Sequence, residues 1–270
     1  MALFPTQVEN RQNHRSMAMS PIPRNFFESE VAAICRLYTT LSIQFDGEFG
    51  LGGKLLFAGE LDDQICHLVR AANIAGGASL SATADVAMQK QAIRDGVVDF
   101  LVTSLDEAVR ILKNEIRKRQ AVAVCLGAKP DFVAAEMAER GIVPDLHRPS
   151  NSTSPMANQP DPTEETVLVA WSVSSAPAQW LPRLDELALE CLDHDAGAAR
   201  RWIRQGPRYL GGLARGFRLV RASRDFGSRF VERVRERSAA GEIGAPGQIQ
   251  LSFGGGCEGF NFGTESPSSH

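Results

Sequence analysis

The segment from Gly59 to His67 follows a short apolar run and opens a helical pattern. In parallel α/β proteins this is the turn that holds the phosphates of a nucleotide, because backbone N–H groups at a helix N-terminus can approach the anion closely. Such a turn needs glycines, yet Gly59 stands alone and Glu60, Asp62 and Asp63 bring negative charge. The turn therefore disfavours a pyrophosphate and predicts a structural α/β domain with an acidic rim.

Two further positions could contact a ligand. Asn73 lies in the glycine-containing stretch 72–80, where Gly76 or Gly77 is predicted to end a helix in the left-handed conformation. Asp85 follows the second predicted strand, where Rossmann proteins often place an acidic ligand for a ribose. Its favoured role is the N-cap of the next helix.

Cys191 and His194 have a spacing that suits a metal, with Asp193 and Asp195 beside them. A metal site needs a second group of ligands, and the sequence offers none nearby. The pattern favours a solvated helix surface, and we predict no metal site. We find no Ser/His/Asp or Cys/His motif of recognisable spacing.

The elements that would position these residues alternate in type. Apolar runs predict strands at 54–58, 79–83, 100–103 and 121–126, and helical patterns fill 62–74, 85–95, 105–119 and 130–140. Strands separated by helices of this length imply right-handed crossovers and a parallel sheet. The fold class is therefore α/β, a Rossmann-like parallel sheet with flanking helices, followed by a smaller α+β C-terminal region.

Changes in composition and in apolar pattern predict the segments into which the rest of the chain is divided. The C-terminal region is predicted to contain strands at 167–173 and 216–222, helices at 178–192, 196–205 and 223–238, and one short strand after Gly247. The predicted boundaries are a disordered tail at 1–25, an N-terminal helix and lead-in at 26–53, the Rossmann-like domain at 54–148, a linker at 149–166, the C-terminal region at 167–252 and a flexible tail at 253–270.

Composition, net charge and hydropathy limit the kinds of partner that we expect for the chain. The chain has 270 residues, a net charge of −3 and five cysteines without a C-x-x-C pair, which predicts a cytoplasmic protein with reduced thiols. No apolar run approaches the length of about 18 residues that spans a bilayer, and we expect no membrane partner. Residues 200–237 contain twelve arginines. Interleaved acids favour a salt-bridged, solvated face there over nucleic-acid binding.

Several blocks together resemble a known family. The stretches KLLFAGELD (54–62), ANIAGG (72–77), AIRDGVVD (92–99) and SLDEA (104–108) resemble the Rossmann-like domain of urocanase (urocanate hydratase). The similarity runs from about Lys54 to Leu146. It resumes with LVAWSVSS (168–175) and AAGEIGAP (239–246).

Urocanases hydrate urocanate during histidine breakdown and use tightly bound NAD as an electrophile, and they are typically homodimers. The resemblance places their glycine-rich phosphate loop on residues 60–68, where every glycine is replaced. The acidic residue of the second strand falls on Thr83. The Leu-Gly-Asn turn becomes 126–128, which keeps Gly127 and loses the amide.

The catalytic segments are altered as well. The family's cysteine after the tryptophan falls on Val173, and its Gly-Arg-Asp-His stretch falls on residues 250–253. Its Asp-Gln-Thr-Ser motif falls on 149–152, where only Ser152 is kept. The positions that are retained are expected to hold turns, caps and packing; they are Lys54, Asn73, Ala75, Gly76, Gly96, Asp99, Asp106, Trp171 and Gly241.

These observations predict a urocanase-related binding or assembly protein without the family's lyase activity, a pseudoenzyme that works alongside histidine catabolism. The remnants of the NAD site are predicted to be Gly59, Asn73, Asp85 and Gly127. NAD itself is expected from the family and disfavoured by the lost glycines, and the ligand could instead be an imidazole compound or a nucleotide.

The alternative is an enzyme with an altered substrate that uses the retained cleft. Its candidate participants are Asp62, Cys66, His67 and Cys257. Cys66 and His67 replace small residues of the phosphate loop, so this hypothesis expects them to face the former cofactor site.

Overall fold

The computed structural model of the chain describes residues 25–44, 50–147, 166–253 and 256–263. The predicted tail at 1–25 and the predicted linker at 149–166 lie outside these residues, apart from the last residue of each. The described part contains a 3-10 helix at Phe26–Glu28 and a second one at Gly211–Ala214. Its strands are β1 (Leu55–Glu60), β2 (Ala78–Ala82), β3 (Phe100–Val102), β4 (Val122–Leu126), β5 (Leu146–His147), β6 (Thr166–Val173), β7 (Phe217–Ser223), β8 (Gly247–Phe253) and β9 (Gly256–Phe262). Its α-helices are α1 (Glu30–Gln44), α2 (Asp63–Ile74), α3 (Val86–Arg94), α4 (Leu105–Lys118), α5 (Pro130–Glu139), α6 (Pro177–Cys191), α7 (Gly197–Leu210) and α8 (Arg224–Ala239).

The first five strands form one parallel sheet in the order β3-β4-β2-β1-β5. Helices cover both of its faces. Leu105 and Leu112 of α4 and Val133 of α5 belong to one core cluster, whereas Ile65 and Val69 of α2 belong to another. The predicted α/β class and Rossmann-like parallel sheet are confirmed, and each of the four predicted strands starts and ends within two residues of its observed bounds.

The last four strands form an antiparallel sheet in the order β7-β6-β8-β9. Trp171 of β6 meets Phe230 of α8 at 5.1 Å between ring centroids, so α8 packs on one face of this sheet. The predicted flexible tail at 253–270 is wrong over residues 256–262, because these residues form β9 along β8. Five of the twelve residues at 253–264 are glycines, and they obscure the alternation of Phe260 and Phe262 in the sequence.

Helix α1 joins the two sheets into one core. It packs against α2, α7 and β7. The Tyr38 ring lies 5.1 Å from Trp202 of α7, and its hydroxyl donates to the Ala198 carbonyl at 2.6 Å. The ring of Phe26, just before α1, stacks on Phe217 of β7 at 5.0 Å. The predicted N-terminal helix is therefore present as α1 and is a central part of the hydrophobic core.

Helix α7 continues beyond the predicted end at residue 205. Gly206 and Pro207 suggest a helix break, yet the helix runs on to Leu210. Tyr209 and Leu210 are buried, and Gly206 packs against Trp202 and Leu210. Tertiary packing of this apolar face outweighs the local preference of the Gly-Pro pair.

Candidate functional site

The carboxyl ends of parallel strands meet at one edge of a sheet, and ligands of open α/β sheets bind outside that edge. Three of the four predicted cofactor residues lie there: Gly59 in β1, Asp85 after β2 and Gly127 after β4. Asn73 lies in the last turn of α2, which has crossed to the opposite edge. The structure therefore brings three of these residues to one edge and separates the fourth.

The N-terminus of α2, where a pyrophosphate would bind, is capped by the chain itself. Asp62 has an extended backbone, and its Oδ1 accepts a hydrogen bond from the Ile65 N–H at 2.7 Å. A carboxylate at this position satisfies one of the unpaired N–H groups of the first helical turn and interacts favourably with the helix dipole. A phosphate would have to displace that carboxylate and approach Glu60 and Asp63.

Gly59 does not belong to the turn. It lies within β1, where the pairing with β2 shifts between Phe57 and Gly59 and leaves Ala58 in a bulge. Its φ of +79° is the left-handed conformation that glycine adopts at little cost, and a Cβ atom there would meet nothing within 4 Å. The backbone of the bulge therefore accounts for the glycine.

The side chain of Gln89 covers the edge between β2 and β4. Its Nε2 donates to the Thr83 carbonyl at 2.8 Å and would lie 3.4 Å from a Cβ atom on Gly127. Asp85 Oδ1 accepts hydrogen bonds from the N–H groups of Ala87 at 2.7 Å and Met88 at 3.4 Å. Asp85 thus has the capping role that the sequence favoured, and Gln89 fills the space next to Gly127.

Asn73 is 2% exposed, and its Oδ1 has no hydrogen-bond partner among the described residues. The helix ends directly after it as predicted. Gly76, with a φ of +92°, donates to the Asn73 carbonyl at 3.0 Å, and Gly77 donates to the Ala72 carbonyl at 2.9 Å. This is the Schellman arrangement of a helix C-terminus, so these backbone positions serve to end α2.

The positions that the resemblance assigns to catalysis lie on neighbouring strands of the second sheet. Val173 of β6 pairs with Gly247 of β8, and residues 250–253 follow on β8 opposite 168–170 and beyond. Val173 is buried and 2% exposed. Its apolar side chain cannot act as a nucleophile or a proton donor.

A separate cleft of about 800 Å³ lies outside α2 and α3 and is closed by the start of α1 and by the 3-10 helix Gly211–Ala214. Cys66, His67 and Arg70 line it from α2. Arg70 is not among the residues that the sequence patterns single out. The available signal was an arginine between Val69 and Ala71, inside the apolar stripe of an amphipathic helix, where a buried charge needs a reason.

The four residues proposed for an altered enzyme do not converge. Cys66 and His67 share the cleft, whereas Asp62 caps α2 and Cys257 lies on β9 in the other sheet. Burial raises the pKa of the Cys66 thiol to about 11, so the thiol is protonated near neutral pH. The Nε2 of His67 lies 3.5 Å from a carboxylate oxygen of Glu30.

The arginine-rich segment is largely occupied by intramolecular contacts. Arg218 pairs with Asp185 at 2.9 Å, and Arg229 pairs with Asp193 at 2.7 Å. Within the described residues, no three His, Cys, Asp or Glu side chains are grouped to hold a metal ion. No helix of the described part is long and apolar enough to cross a membrane.

Comparison with protein families gives a match that coincides with the first sheet. The family model of the urocanase Rossmann-like domain matches residues 47–159, which include β1 to β5 and the helices between them. The capped turn at Asp62 and the edge covered by Gln89 lie within this match. Residues 47–159 of the chain are therefore similar to the urocanase Rossmann-like domain.

Proposed function

We propose that this chain is a binding protein of the urocanase family that no longer hydrates urocanate. The observation that carries the proposal is the N-terminus of α2, where the Asp62 carboxylate accepts the Ile65 N–H at 2.7 Å. This carboxylate takes the place of a bound phosphate, and it is part of the folded chain.

The residues at the carboxyl edge do not fit NAD. A pyrophosphate would meet the carboxylates of Glu60, Asp62 and Asp63 at one turn. At about 4 Å, each like-charge contact near a protein surface can reach about 4 kcal/mol. Gln89 also occupies the space beside Gly127. We therefore derive no reaction step through NAD.

The second sheet supports the same proposal. Val173 is buried and apolar, and residues 250–253 are Gln, Leu, Ser and Phe. These positions offer neither a thiol nor a carboxylate to take part in proton transfer or attack. Loss of cofactor binding and loss of these groups affect two different sheets of the protein.

The alternative of an altered enzyme has less support. Cys66 would be its natural nucleophile, but nucleophilic attack needs the thiolate and burial raises the pKa of this thiol to about 11. The cleft around Cys66 has a volume of about 800 Å³ and is lined by polar and apolar side chains, which supports binding better than catalysis. We place this role beside histidine catabolism, as the family relationship suggests.

The test uses the full chain as purified. Denaturation of the protein should release no NAD that mass spectrometry can detect. When urocanate is incubated with the protein and added NAD, its ultraviolet absorbance should stay constant. An active urocanase treated in parallel serves as the positive control. Turnover of urocanate, or NAD that survives purification, would overturn the proposal.

A further inference from the structure

The cleft outside α2 and α3 contains a buried arginine that has no carboxylate partner. Arg70 is 6% exposed. Its Nη2 donates to the backbone carbonyl of Asp95 at 2.8 Å, and its Nη1 donates to the backbone carbonyl of Tyr209. Among the described residues, no carboxylate oxygen lies within 4 Å of its guanidinium group. Two neutral carbonyls therefore hold a buried positive charge.

The Arg70 guanidinium has a charge without an ion-pair partner and N–H donors that are not used. Its guanidinium carries five N–H groups, and only two are used in these contacts. Burial lowers the pKa of Arg70, which reflects the cost of keeping the charged form away from water. An anion bound in the cleft would offset that cost.

Two more arginines line the cleft, and both lie close in sequence to Tyr209, whose carbonyl accepts a hydrogen bond from Arg70. Arg208 directly precedes Tyr209, whose carbonyl accepts from Arg70, and Arg215 follows the 3-10 helix Gly211–Ala214. Both are exposed and line the cleft. Neither forms an ion pair with a described residue; the Arg208 guanidinium instead lies 5.1 Å from the centre of the Tyr209 ring.

Two of the carboxylates that line the cleft, those of Glu30 and Asp95, have side-chain partners other than Arg70. Glu30 lies 3.5 Å from His67, and Asp95 accepts two hydrogen bonds from Gln91 Nε2 at 2.8 and 2.9 Å. Asp63 lines the cleft from the first turn of α2, and Arg94 donates to Gln91 Oε1. Asp95 and Glu30 attract Arg70 electrostatically, yet neither forms an ion pair with it, so the guanidinium group keeps free donors for an anion.

We propose that this cleft binds a phosphate-bearing small molecule, with the phosphate held by Arg70, Arg208 and Arg215. Planar guanidinium groups match phosphate oxygens in pairs of hydrogen bonds, and a doubly charged anion suits more than one arginine. A volume of about 800 Å³ accommodates a metabolite larger than phosphate alone. Met88, Leu210 and Leu213 supply an apolar wall for the rest of the ligand.

The Cys66 thiol fits this binding role. Because it is protonated near neutral pH, it adds no negative charge that would repel a phosphate. The site is also distinct from the carboxyl edge of the first sheet, since neither Gly59 nor Gly127 lines it. The inference specifies the ligand of the binding role proposed above and rests on that role.

Calorimetric titration of the full chain with inorganic phosphate and with phenyl phosphate tests the inference. Both should bind, phenyl phosphate more tightly because of the apolar wall, while sodium chloride at equal ionic strength should give no binding heat. Arg208→Gln and Arg215→Gln should each raise the Kd about tenfold, the loss expected for one charge-assisted contact. Arg204→Gln, an exposed arginine of the same helix that does not line the cleft, should change the Kd less than twofold.

Arg70→Met should abolish phosphate binding, with circular dichroism used to verify folding. If this variant does not fold, the two exposed arginines decide the question. Absence of phosphate binding to the wild-type protein, or a wild-type Kd in the Arg208→Gln/Arg215→Gln double variant, would overturn the inference. The two proposals fail separately, because urocanate turnover would refute the lost activity while absent phosphate binding refutes this ligand.

Discussion

Replacing Asp62 by alanine tests whether the N-terminus of α2 is satisfied by the chain itself. The variant removes the carboxylate that accepts the Ile65 N–H at 2.7 Å. Loss of an N-cap of this kind costs about 1 kcal/mol, and loss of its charge beside the helix dipole adds about 0.3–1 kcal/mol. The free energy of unfolding should therefore fall by about 1.5 kcal/mol.

A protein of this size loses about 2–4 °C in Tm for each kcal/mol. Differential scanning calorimetry should therefore show a Tm about 3–6 °C lower for Asp62→Ala. Asp62→Asn should melt within about 1–4 °C of the wild type, because asparagine caps a helix as well as aspartate does and only the charge is lost.

The matched control is Asp63→Ala, one residue further along the chain. Asp63 is exposed and lies in the first turn of α2, where it contributes through the helix dipole and does not form the cap. This variant should cost a few tenths of a kcal/mol. Equal Tm values for Asp62→Ala and the wild type would show that this N-terminus is not capped in solution, and the argument against a bound pyrophosphate would lose its foundation.

Three other measurements probe the rest of the structure. Asp185→Asn removes the charge of a buried carboxylate that pairs with the half-buried Arg218, and it should lower the free energy of unfolding in urea by about 3–5 kcal/mol. The exposed pair of Asp193 should contribute under about 1 kcal/mol, and equal losses would refute the special weight given to the Asp185 pair. With a pKa of about 11, roughly one Cys66 thiol in three thousand is ionised at pH 7.5, so this residue should react only slowly with iodoacetamide. Fast labelling of Cys66 would instead support the alternative of an enzyme with an altered substrate. Gly247→Ala would place a Cβ atom 2.4 Å from the Ser172 carbonyl of β6 and 2.4 Å from the Phe262 ring of β9, and it should cost about 1–3 kcal/mol by urea unfolding. Gly256→Ala, which meets nothing within 4 Å, should be nearly neutral, and equal effects of the two variants would show that β8 does not lie between β6 and β9 as described.

The parallel sheet could be predicted from the sequence because its local signals agree with one another. Helix α4 shows this: Ser104 accepts from the Glu107 N–H at 3.3 Å as an N-cap, and the buried residues Leu105, Ala108 and Leu112 recur at helical spacing. Each signal depends on residues close in the chain. Such signals fix the element, its bounds and its buried face without knowledge of the rest of the protein.

The errors arose where distant contacts decide the structure. Strand β9 is glycine-rich and gains its order from pairing with β8. Helix α7 passes through Pro207 because its apolar face packs against the core. The partners of Arg70 are carbonyls 25 and 139 residues away, so its role depends on how α2 meets α3 and α7. None of these relations is encoded in a short window of sequence.

The candidate site likewise combines features that local sequence reveals with features that only the structure reveals. The absence of glycine from residues 60–68 is visible in the sequence, but the capping of α2 by Asp62 is visible only in the structure. A helix N-terminus that binds a cofactor leaves N–H groups unpaired whenever the cofactor is absent, and this costs stability. Asp62 at α2 and Asp85 at α3 remove that cost by capping both helices.

Under the proposed function, these two caps explain how the fold persists without the chemistry of the family. Stabilising a site usually reduces the function that depended on its unpaired groups. At the edge of this sheet, two capping carboxylates and the side chain of Gln89 satisfy groups that a dinucleotide would otherwise contact. Arg70 shows the opposite condition, since its buried charge is held by carbonyls alone and would gain from an anion. The groups at the sheet edge are thus satisfied by the chain itself, whereas the helical cleft contains a charge without an ion-pair partner, and binding should be sought in that cleft.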